Sequence, residues 1–343
     1  MNDILAPFAY SNGKPRAEAK LKAQPQHFVV KEDLGFSFTG AGEHLMLLIR
    51  KTGENTSFVA NELAKACGVK SKDVSWAGLK DRHAVTEQWL SVHLPKGDTP
   101  DFSAFLTQYP SIEILDITRH NKKLRPGDLK GNFFEITLTQ VTDIPSVISR
   151  LENVARHGVP NYFGAQRFGR DGNNVEEARR WGRENVRTRN QNKRSLYLSS
   201  ARSWIFNHIL SKRIESGVWQ SPLIGDILLN TEGTLKVTED NFADSEQLVS
   251  NGKAEITAAM AGDNALPTSD AALDLEQPCL DAEPDLMALI RGNRMRHERR
   301  AVQLFPKEIA WDVQDNEIAL KFWLPSGCFA TSIMRELVNA EEE

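Results

Sequence analysis

A single carboxylate stands in the loop of this sequence that is best suited to chemistry. Asp81 lies between Lys80 and Arg82, just after a strand-like run and a glycine. Neighbouring cations favour the ionised form of a carboxyl group, and an unperturbed aspartate is already charged at neutral pH. A carboxylate held in a basic loop suits attack on, or stabilisation of, an electron-poor sugar carbon beside a phosphate backbone. An aspartate that only caps a turn is the alternative interpretation.

A second segment, residues 159–170, concentrates three aromatic rings, two arginines and two glycines within twelve positions. Aromatic rings can stack on bases, arginines bind phosphates, and glycines let the backbone approach a ligand closely. A tightly packed turn with buried rings explains the same composition, so both interpretations stay open.

Two further segments, residues 130–135 and 322–332, place aromatic rings beside a glycine and a small amide or hydroxyl group. Such groups can line a pocket that stacks a flat base and reads its edge. Core packing is the default interpretation of any single ring in these segments. Phe28, in a strand-like run, is ambiguous in the same way.

The sequence shows none of the spacings typical of a metal, nucleotide or serine-nucleophile site. Its eight histidines form no HxxxH or HExxH pattern, and neither GxxxxGK[ST] nor GxSxG occurs. The three cysteines are far apart, which argues against a disulfide framework or a cysteine-rich zinc site and suits a reducing cytoplasm. An unassisted carboxylate is therefore the best catalytic candidate, and no cofactor is expected.

Charge is segregated along the chain although the net charge is only −4. Residues 160–213 hold twelve Lys or Arg against four Asp or Glu, and residues 232–285 hold thirteen acidic residues against two lysines. Five arginines then fall within residues 291–300. This distribution fits a polyanion bound along the two basic segments, and a solvated helix face beside an acidic loop fits it as well.

The length of 343 residues favours two domains, and 40% hydrophobic with 26% charged residues is typical of a soluble globular protein. No apolar run approaches the roughly 18 residues of a membrane span. The first residues lack the basic and apolar regions of a secretory signal.

The first half of the chain mixes strand-like and helical patterns. Strand-like runs occur at residues 28–31, 45–49, 89–94 and 133–138, and helices are expected from Asn55 to Ala66 and from Asp143 to Gly158. The regular long crossovers of a parallel sheet are missing. We therefore expect an α+β fold with a mixed or antiparallel sheet.

After Pro160 the pattern changes to helices rich in arginine and asparagine, followed by an acidic, alanine-rich stretch. Strand character returns only at residues 317–324, before a final helix from about Thr331. The middle of the chain is therefore expected to interrupt one sheet domain. We expect that domain to comprise residues 1–158 and 306–343, with an inserted α/β domain at residues 159–305.

Taken together, five segments closely resemble the tRNA pseudouridine synthase D (TruD) family, and they stand in the family's order across nearly the whole chain. They are residues 28–32, 77–88, 130–134, 160–169 and 322–332. The resemblance implies a pseudouridine synthase sheet domain interrupted by a domain specific to this family. Arg82 and His83 occupy positions where family members vary, which leaves the fine RNA contacts open but not the reaction.

The resemblance also implies a reaction and a set of site residues. A tRNA uridine, in bacterial members uridine 13 of glutamate tRNA, is cut at its glycosidic bond, turned, and rejoined to the ribose through carbon 5. Asp81 falls on the family's nucleophile, and Lys22 on a lysine that pairs with it. Phe28, Asn132 and Phe329 match substrate-contacting positions, and Phe134 matches the ring that stacks on the target base. The expected protein is a cytoplasmic monomer with no cofactor, membrane contact or obligate protein partner.

Two other functions remain compatible with the residues alone. A non-catalytic RNA-binding protein would keep the basic and aromatic segments without needing Asp81. A glycosylase-type hydrolase would also direct a carboxylate at a sugar carbon but would release free uracil. Turnover of tRNA and release of uracil separate these alternatives.

Overall fold

The structure is a computed structural model that describes residues 3–342, with side chains described through residue 340. Backbone contacts divide it into two compact units. Within the described residues, the sheet unit comprises residues 16–155, 306–330 and 337–342, and the helical unit comprises residues 3–15, 156–305 and 331–336.

The helical unit thus includes three short segments, residues 3–15, 156–158 and 331–336, that we had expected in the sheet domain. Side-chain contacts explain the grouping of the first and the last of these segments. Arg335 donates hydrogen bonds to the carbonyl oxygens of Phe8 and Leu5, at 2.6 and 3.2 Å, and Ser332 donates one to that of Tyr162 at 2.9 Å.

The elements up to residue 157 alternate between strands and helices, as the sequence predicts. In chain order they are β1 (Glu18–Leu21), β2 (Phe28–Asp33), β3 (His44–Thr52), α1 (Thr56–Ala66), β4 (Val74–Trp76), β5 (Val85–His93), α2 (Ser103–Gln108), β6 (Ile112–His120), β7 (Gly131–Leu138) and α3 (Ile144–His157).

The elements from residue 158 onward include more strands than expected. They are β8 (Val159–Pro160), α4 (Asn173–Arg183), α5 (Gln191–Glu215), β9 (Ile227–Asn230), β10 (Gly233–Lys236), α6 (Phe242–Ser250), β11 (Glu255–Met260), α7 (Asp270–Asp281), α8 (Pro284–Gly292), β12 (Glu298–Ala301), β13 (Gln303–Leu304), β14 (Lys307–Gln314), β15 (Glu317–Pro325), α9 (Ala330–Leu337) and β16 (Asn339–Glu342).

The sheet unit is built on one large mixed sheet. Its strand order among the described residues is β14–β15–β7–β2–β5–β3–β6, with β4 also pairing β5. The β2–β5 pair is parallel and the other pairs of this sheet are antiparallel. This arrangement, with helices in the same chain, confirms the predicted α+β fold with a mixed sheet.

Strand β3 and helix α1 show why the sequence builds the sheet unit. Leu45, Leu47 and Ile49 alternate along β3, are at most 1% exposed, and pack with the buried residues of α1. The side chain of Asn55 caps α1 by accepting a hydrogen bond from the backbone N–H of Phe58 at 2.8 Å. The next residue of the β3 alternation is Lys51.

The helical unit contains a sheet of order β10–β9–β11–β12, and the 25-residue helix α5 contacts its strand β11. The expectation that strand character returns only at residue 317 is therefore wrong. The reason lies in local composition. Strand β11 has the sequence EITAAM, whose alanines suggest a helix, and β12 has the sequence ERRA, which suggests a surface cluster. Tertiary pairing overrides both local preferences.

Candidate active site

Asp81 lies in the loop between β4 and β5, and its side chain is 28% exposed. Its Oδ2 atom is 2.5 Å from the Nζ atom of Lys22, and its Oδ1 atom accepts a hydrogen bond from the backbone N–H of His83 at 2.8 Å. Burial acts to raise the pKa of Asp81, but the bond and charge of Lys22, with the His83 bond, outweigh burial and hold that pKa below its ordinary value. The carboxylate is therefore ionised and oriented.

The two cations next to Asp81 in sequence are not the ones that stabilise it. Lys80 turns into the unit, where its ammonium group lies 3.3 Å from Glu32, with 4% and 0% of the two side chains exposed. Burial raises the pKa of Glu32 even though Lys80 and the N–H of Trp89 act to lower it. Arg82 is exposed. Our expectation that the flanking cations stabilise the Asp81 carboxylate therefore needs correction. Lys22, which directly follows β1, stabilises it instead.

The side chain of Lys51 also contacts the loop that contains Asp81. It is 1% exposed, and its Nζ atom donates to the backbone carbonyl oxygen of Asp81 at 3.2 Å. Burial lowers the pKa of Lys51 to about 8; the Asp81 carboxylate acts against this shift, and the charge of Lys80 adds to it. Asp81 is thus held through both its carboxylate and its main chain.

Aromatic rings extend from Lys22 into the sheet. The Lys22 ammonium lies 4.5 Å from the centre of the Phe28 ring. Phe28 meets Phe134 edge-on, with ring centres 6.2 Å apart, and Phe134 stacks on Phe322 at 5.5 Å. Phe134 is only 8% exposed. Because Phe322 covers one of its faces, a base can stack on Phe134 only from the opposite face.

Asn132 stands two residues before Phe134 on β7, on the same side of the strand. Its Oδ1 atom is buried and finds no hydrogen-bond donor within the part of the chain that the structure describes. Such an atom is costly unless a ligand satisfies it. The preceding Gly131 is required by close packing, since a Cβ atom there would lie 2.3 Å from the Trp323 ring.

Phe329 lies between β15 and α9 and is half-buried. The structure thus brings Lys22, Phe28, Asp81 and Phe134 into one chain of contacts. The roles of these four residues, and of Asn132 and Phe329, stay predictions.

The basic segments divide into structural and exposed arginines. Arg213 is 1% exposed and forms two 2.8 Å bonds with Asp226, and Arg299 pairs with Glu276 at 2.9 Å. Arg202 donates to the carbonyl oxygens of Ala261, Met260 and Arg296. The expectation that these segments as a whole bind phosphates therefore needs correction. The exposed arginines that remain include Arg187, Arg189, Arg291, Arg294 and Arg296.

The aromatic residues of segment 159–170 serve packing. Tyr162, Phe163 and Phe168 are 2%, 5% and 0% exposed. Tyr162 donates its hydroxyl hydrogen to the carbonyl oxygen of Ala9 at 2.8 Å, and Phe168 meets Trp204 edge-on. Of the two interpretations left open by the sequence, the packed turn describes these rings.

Several residues that shape the Asp81 loop escaped the sequence analysis. They are Glu32, Lys51, Thr56 and Gln88, all buried or nearly so. A signal was present for Lys51, because the alternation of Leu47 and Ile49 places it on the buried face of β3. Glu32 likewise continues the alternation of Phe28 and Val30 on β2. Gln88 alternates with Leu90 on β5, and Thr56 is the first residue of α1.

Among the described residues, no group of three or more His, Cys, Asp or Glu side chains is arranged to hold a metal ion. No helix within residues 3–342 has the length and apolar character needed to cross a membrane.

Comparison with known proteins places the chain in a family. A family model described as tRNA pseudouridine synthase D (TruD) matches residues 6–176 and 173–337. The chain is 70% identical over 339 residues to a tRNA pseudouridine synthase D of Vibrio parahaemolyticus, covering 99% of this chain and 98% of that protein. It is 62% identical over 342 residues to one of Aliivibrio fischeri, covering 100% and 97%.

A solved structure of a Methanosarcina mazei protein described as a TruD shows the same fold. Its TM-score is 0.72 at 24% identity, covering 96% of this chain and 95% of that one. The chain therefore belongs to the tRNA pseudouridine synthase D family, whose members are isomerases that convert uridine to pseudouridine in tRNA.

Proposed function

We propose that this protein acts on uridine 13 of glutamate tRNA and that Asp81 is its nucleophile. The observation that supports this most directly is the Asp81 carboxylate, which is kept ionised by Lys22 and His83 and is linked through Lys22 to the Phe28–Phe134 rings. We further propose a cytoplasmic monomer that needs no cofactor and no other protein.

The chemistry balances without any further reactant. In one route, the Asp81 carboxylate bonds to C1′ of the ribose while the N1–C1′ bond breaks and its electron pair stays on the uracil. The uracil turns, C5 bonds to C1′, the bond to Asp81 breaks, and the proton on C5 is exchanged for one on N1. In the other route, Asp81 removes the proton at C2′ while the N1–C1′ bond breaks with its electron pair on the uracil, which leaves a glycal. The uracil turns, C5 bonds to C1′, C2′ takes its proton back from Asp81, and the proton on C5 is exchanged for one on N1. Both need an ionised carboxylate beside the sugar.

Asn132 and Phe134 are proposed to receive the extruded uracil. The unpartnered Oδ1 atom of Asn132 can accept a hydrogen bond from an N–H at the edge of the base. Phe134 offers one aromatic face, and Phe329 is proposed to complete the pocket. Removing a base from its stack costs roughly a few kcal/mol, which stacking and hydrogen bonding in the pocket offset.

The test is incubation of the pure protein with unmodified glutamate tRNA transcript, followed by mapping of pseudouridine at single-nucleotide resolution. We expect one pseudouridine at position 13 and no free uracil. A matched transcript with cytidine at position 13 should remain unmodified. Modification at another position contradicts the proposed target, and release of uracil contradicts the isomerase route in favour of a hydrolase.

A further inference from the structure

Leu79 is the most exposed large hydrophobic side chain within the described residues. It is 71% exposed, whereas the other exposed large hydrophobic residues range from 38% to 45%. A single exposed leucine is common on protein surfaces and needs no explanation by itself. Leu79, however, lies two residues before Asp81 in the same loop.

Buried hydrogen bonds fix the backbone on both sides of Leu79. The carbonyl oxygen of Gly78 accepts from the Nε2 atom of Gln88 at 2.9 Å, and the N–H of Lys80 donates to the hydroxyl of Thr56 at 3.2 Å. Thr56 in turn donates to Gln88 at 2.8 Å, and both of these side chains are 1% exposed. The loop therefore holds its exposed leucine in a set position.

The side chains next to Leu79 differ in their exposure. The Lys80 side chain is 4% exposed and points into the unit toward Glu32. The residues on either side of it, Leu79 and Asp81, both reach solvent. The same loop thus exposes an apolar side chain two residues before the carboxylate.

We propose that Leu79 is a wedge that enters the RNA base stack when the target uridine leaves it. Because C1′ becomes accessible only when the nucleotide is extruded, the neighbouring bases lose a stacking partner. Apolar side chains inserted at such steps replace part of the lost contact. Arg82 and His83 are also exposed in this loop and can stack on bases as well, whereas Leu79 offers the purely apolar side chain that is typically inserted at such steps. This inference rests on the proposed role of Asp81.

The test measures extrusion separately from chemistry. In an Asp81→Asn background, a glutamate tRNA transcript carries 2-aminopurine next to the target uridine, and stopped-flow fluorescence reports unstacking. We expect Leu79→Ala to slow or reduce the signal by about tenfold or more, since it removes most of the apolar contact. Leu79→Met should keep the signal, and Leu115→Ala, at a partly exposed leucine on β6, serves as the matched control.

Single-turnover reactions with Asp81 intact complete the test. We expect Leu79→Ala to lower the rate at saturating tRNA by about tenfold while tRNA affinity stays within about twofold. A Leu79→Ala rate equal to wild type, or a loss of affinity alone, overturns the wedge. An active Asp81→Asn variant would instead refute the proposed nucleophile.

Discussion

Replacement of Lys51 by methionine should make the protein more stable at neutral pH and less active. Lys51 is almost fully buried, and its ammonium group donates to the Asp81 carbonyl oxygen. Methionine has a similar length but no charge, so it removes the cost of burying the ammonium group together with the support for the Asp81 loop. We expect turnover to fall by about tenfold, because small displacements of a reacting group are costly.

The size of the stability change follows from the pKa of Lys51, which burial lowers from 10.5 to about 8. At about 1.4 kcal/mol per pKa unit, the charged form costs roughly 3 kcal/mol in the folded state at pH 7. Loss of the hydrogen bond from Lys51 to the Asp81 carbonyl oxygen destabilises the variant by roughly 1 to 2 kcal/mol. The free energy of unfolding of the Lys51→Met variant should therefore exceed that of the wild type by roughly 1 to 2 kcal/mol at pH 7.

The advantage of the variant in the free energy of unfolding should disappear and then reverse as the pH rises. Between pH 8 and 10.5 the folded wild type has released the Lys51 proton while its unfolded chain still holds it. The unfolded state then binds more protons, so the contribution of Lys51 to the free energy of unfolding increases with pH. The stability difference between variant and wild type should shift by roughly 3 kcal/mol across this window.

Urea unfolding at pH 7 and pH 10 measures this difference, and comparing each variant with wild type at the same pH cancels the other titrating groups. Lys96→Met is the matched control, because Lys96 is an exposed lysine of the same unit. It should show no pH-dependent difference. A Lys51→Met difference that is the same at both pH values refutes the buried ammonium, and full activity of the variant refutes its positioning role.

Three other outcomes are expected. Lys22→Met should raise the pKa of Asp81, since burial then acts without its counterion, and the acidic limb of the kcat/KM profile should move to higher pH; an unmoved limb contradicts the pairing. Replacing an exposed arginine that binds a phosphate should lower the steepness of log affinity against log salt by roughly 0.7 to 0.9. Arg187→Ala tests this. Phe134→Ala and the control Lys253→Ala should leave that slope unchanged, and a changed slope in Phe134→Ala would place the RNA elsewhere. Activity should survive chelation once magnesium needed to fold the tRNA is controlled for, and loss restored by a divalent ion would contradict a carboxylate-only site.

Local sequence patterns predict much of the secondary structure of the sheet unit. The strand-like runs at β2, β3, β5 and β7 and the helices expected at residues 55–66 and 143–158 rest on short-range signals, and each corresponds to an element found in the structure. The strands of the helical unit were missed because their residues have weak or contrary local preferences. Strand β12, for example, is fixed by pairing with β11 across more than thirty positions of sequence. Strands β1, β6 and β14 of the sheet unit were not predicted either.

The candidate site shows the same limit. The sequence drew attention to Asp81, but it suggested Lys80 as a stabilising cation, whereas Lys80 is paired with Glu32. The charge of a neighbouring residue cannot be assigned to a carboxylate until the direction of its side chain is known. The same holds for Arg213 and Arg299, which look like RNA ligands in a basic segment and prove to be buried ion pairs.

The most direct test of the central claim compares Asp81→Asn with wild type in single-turnover conversion of glutamate tRNA. Asp98→Asn, at an exposed aspartate of the same unit, serves as the control. Asparagine preserves the shape of the side chain but cannot bond to C1′ or accept the C2′ proton as a carboxylate. We expect Asp81→Asn to bind tRNA with near wild-type affinity and to form no detectable pseudouridine, while Asp98→Asn retains full activity. Pseudouridine formation by Asp81→Asn within a few-fold of the wild-type rate would contradict the account.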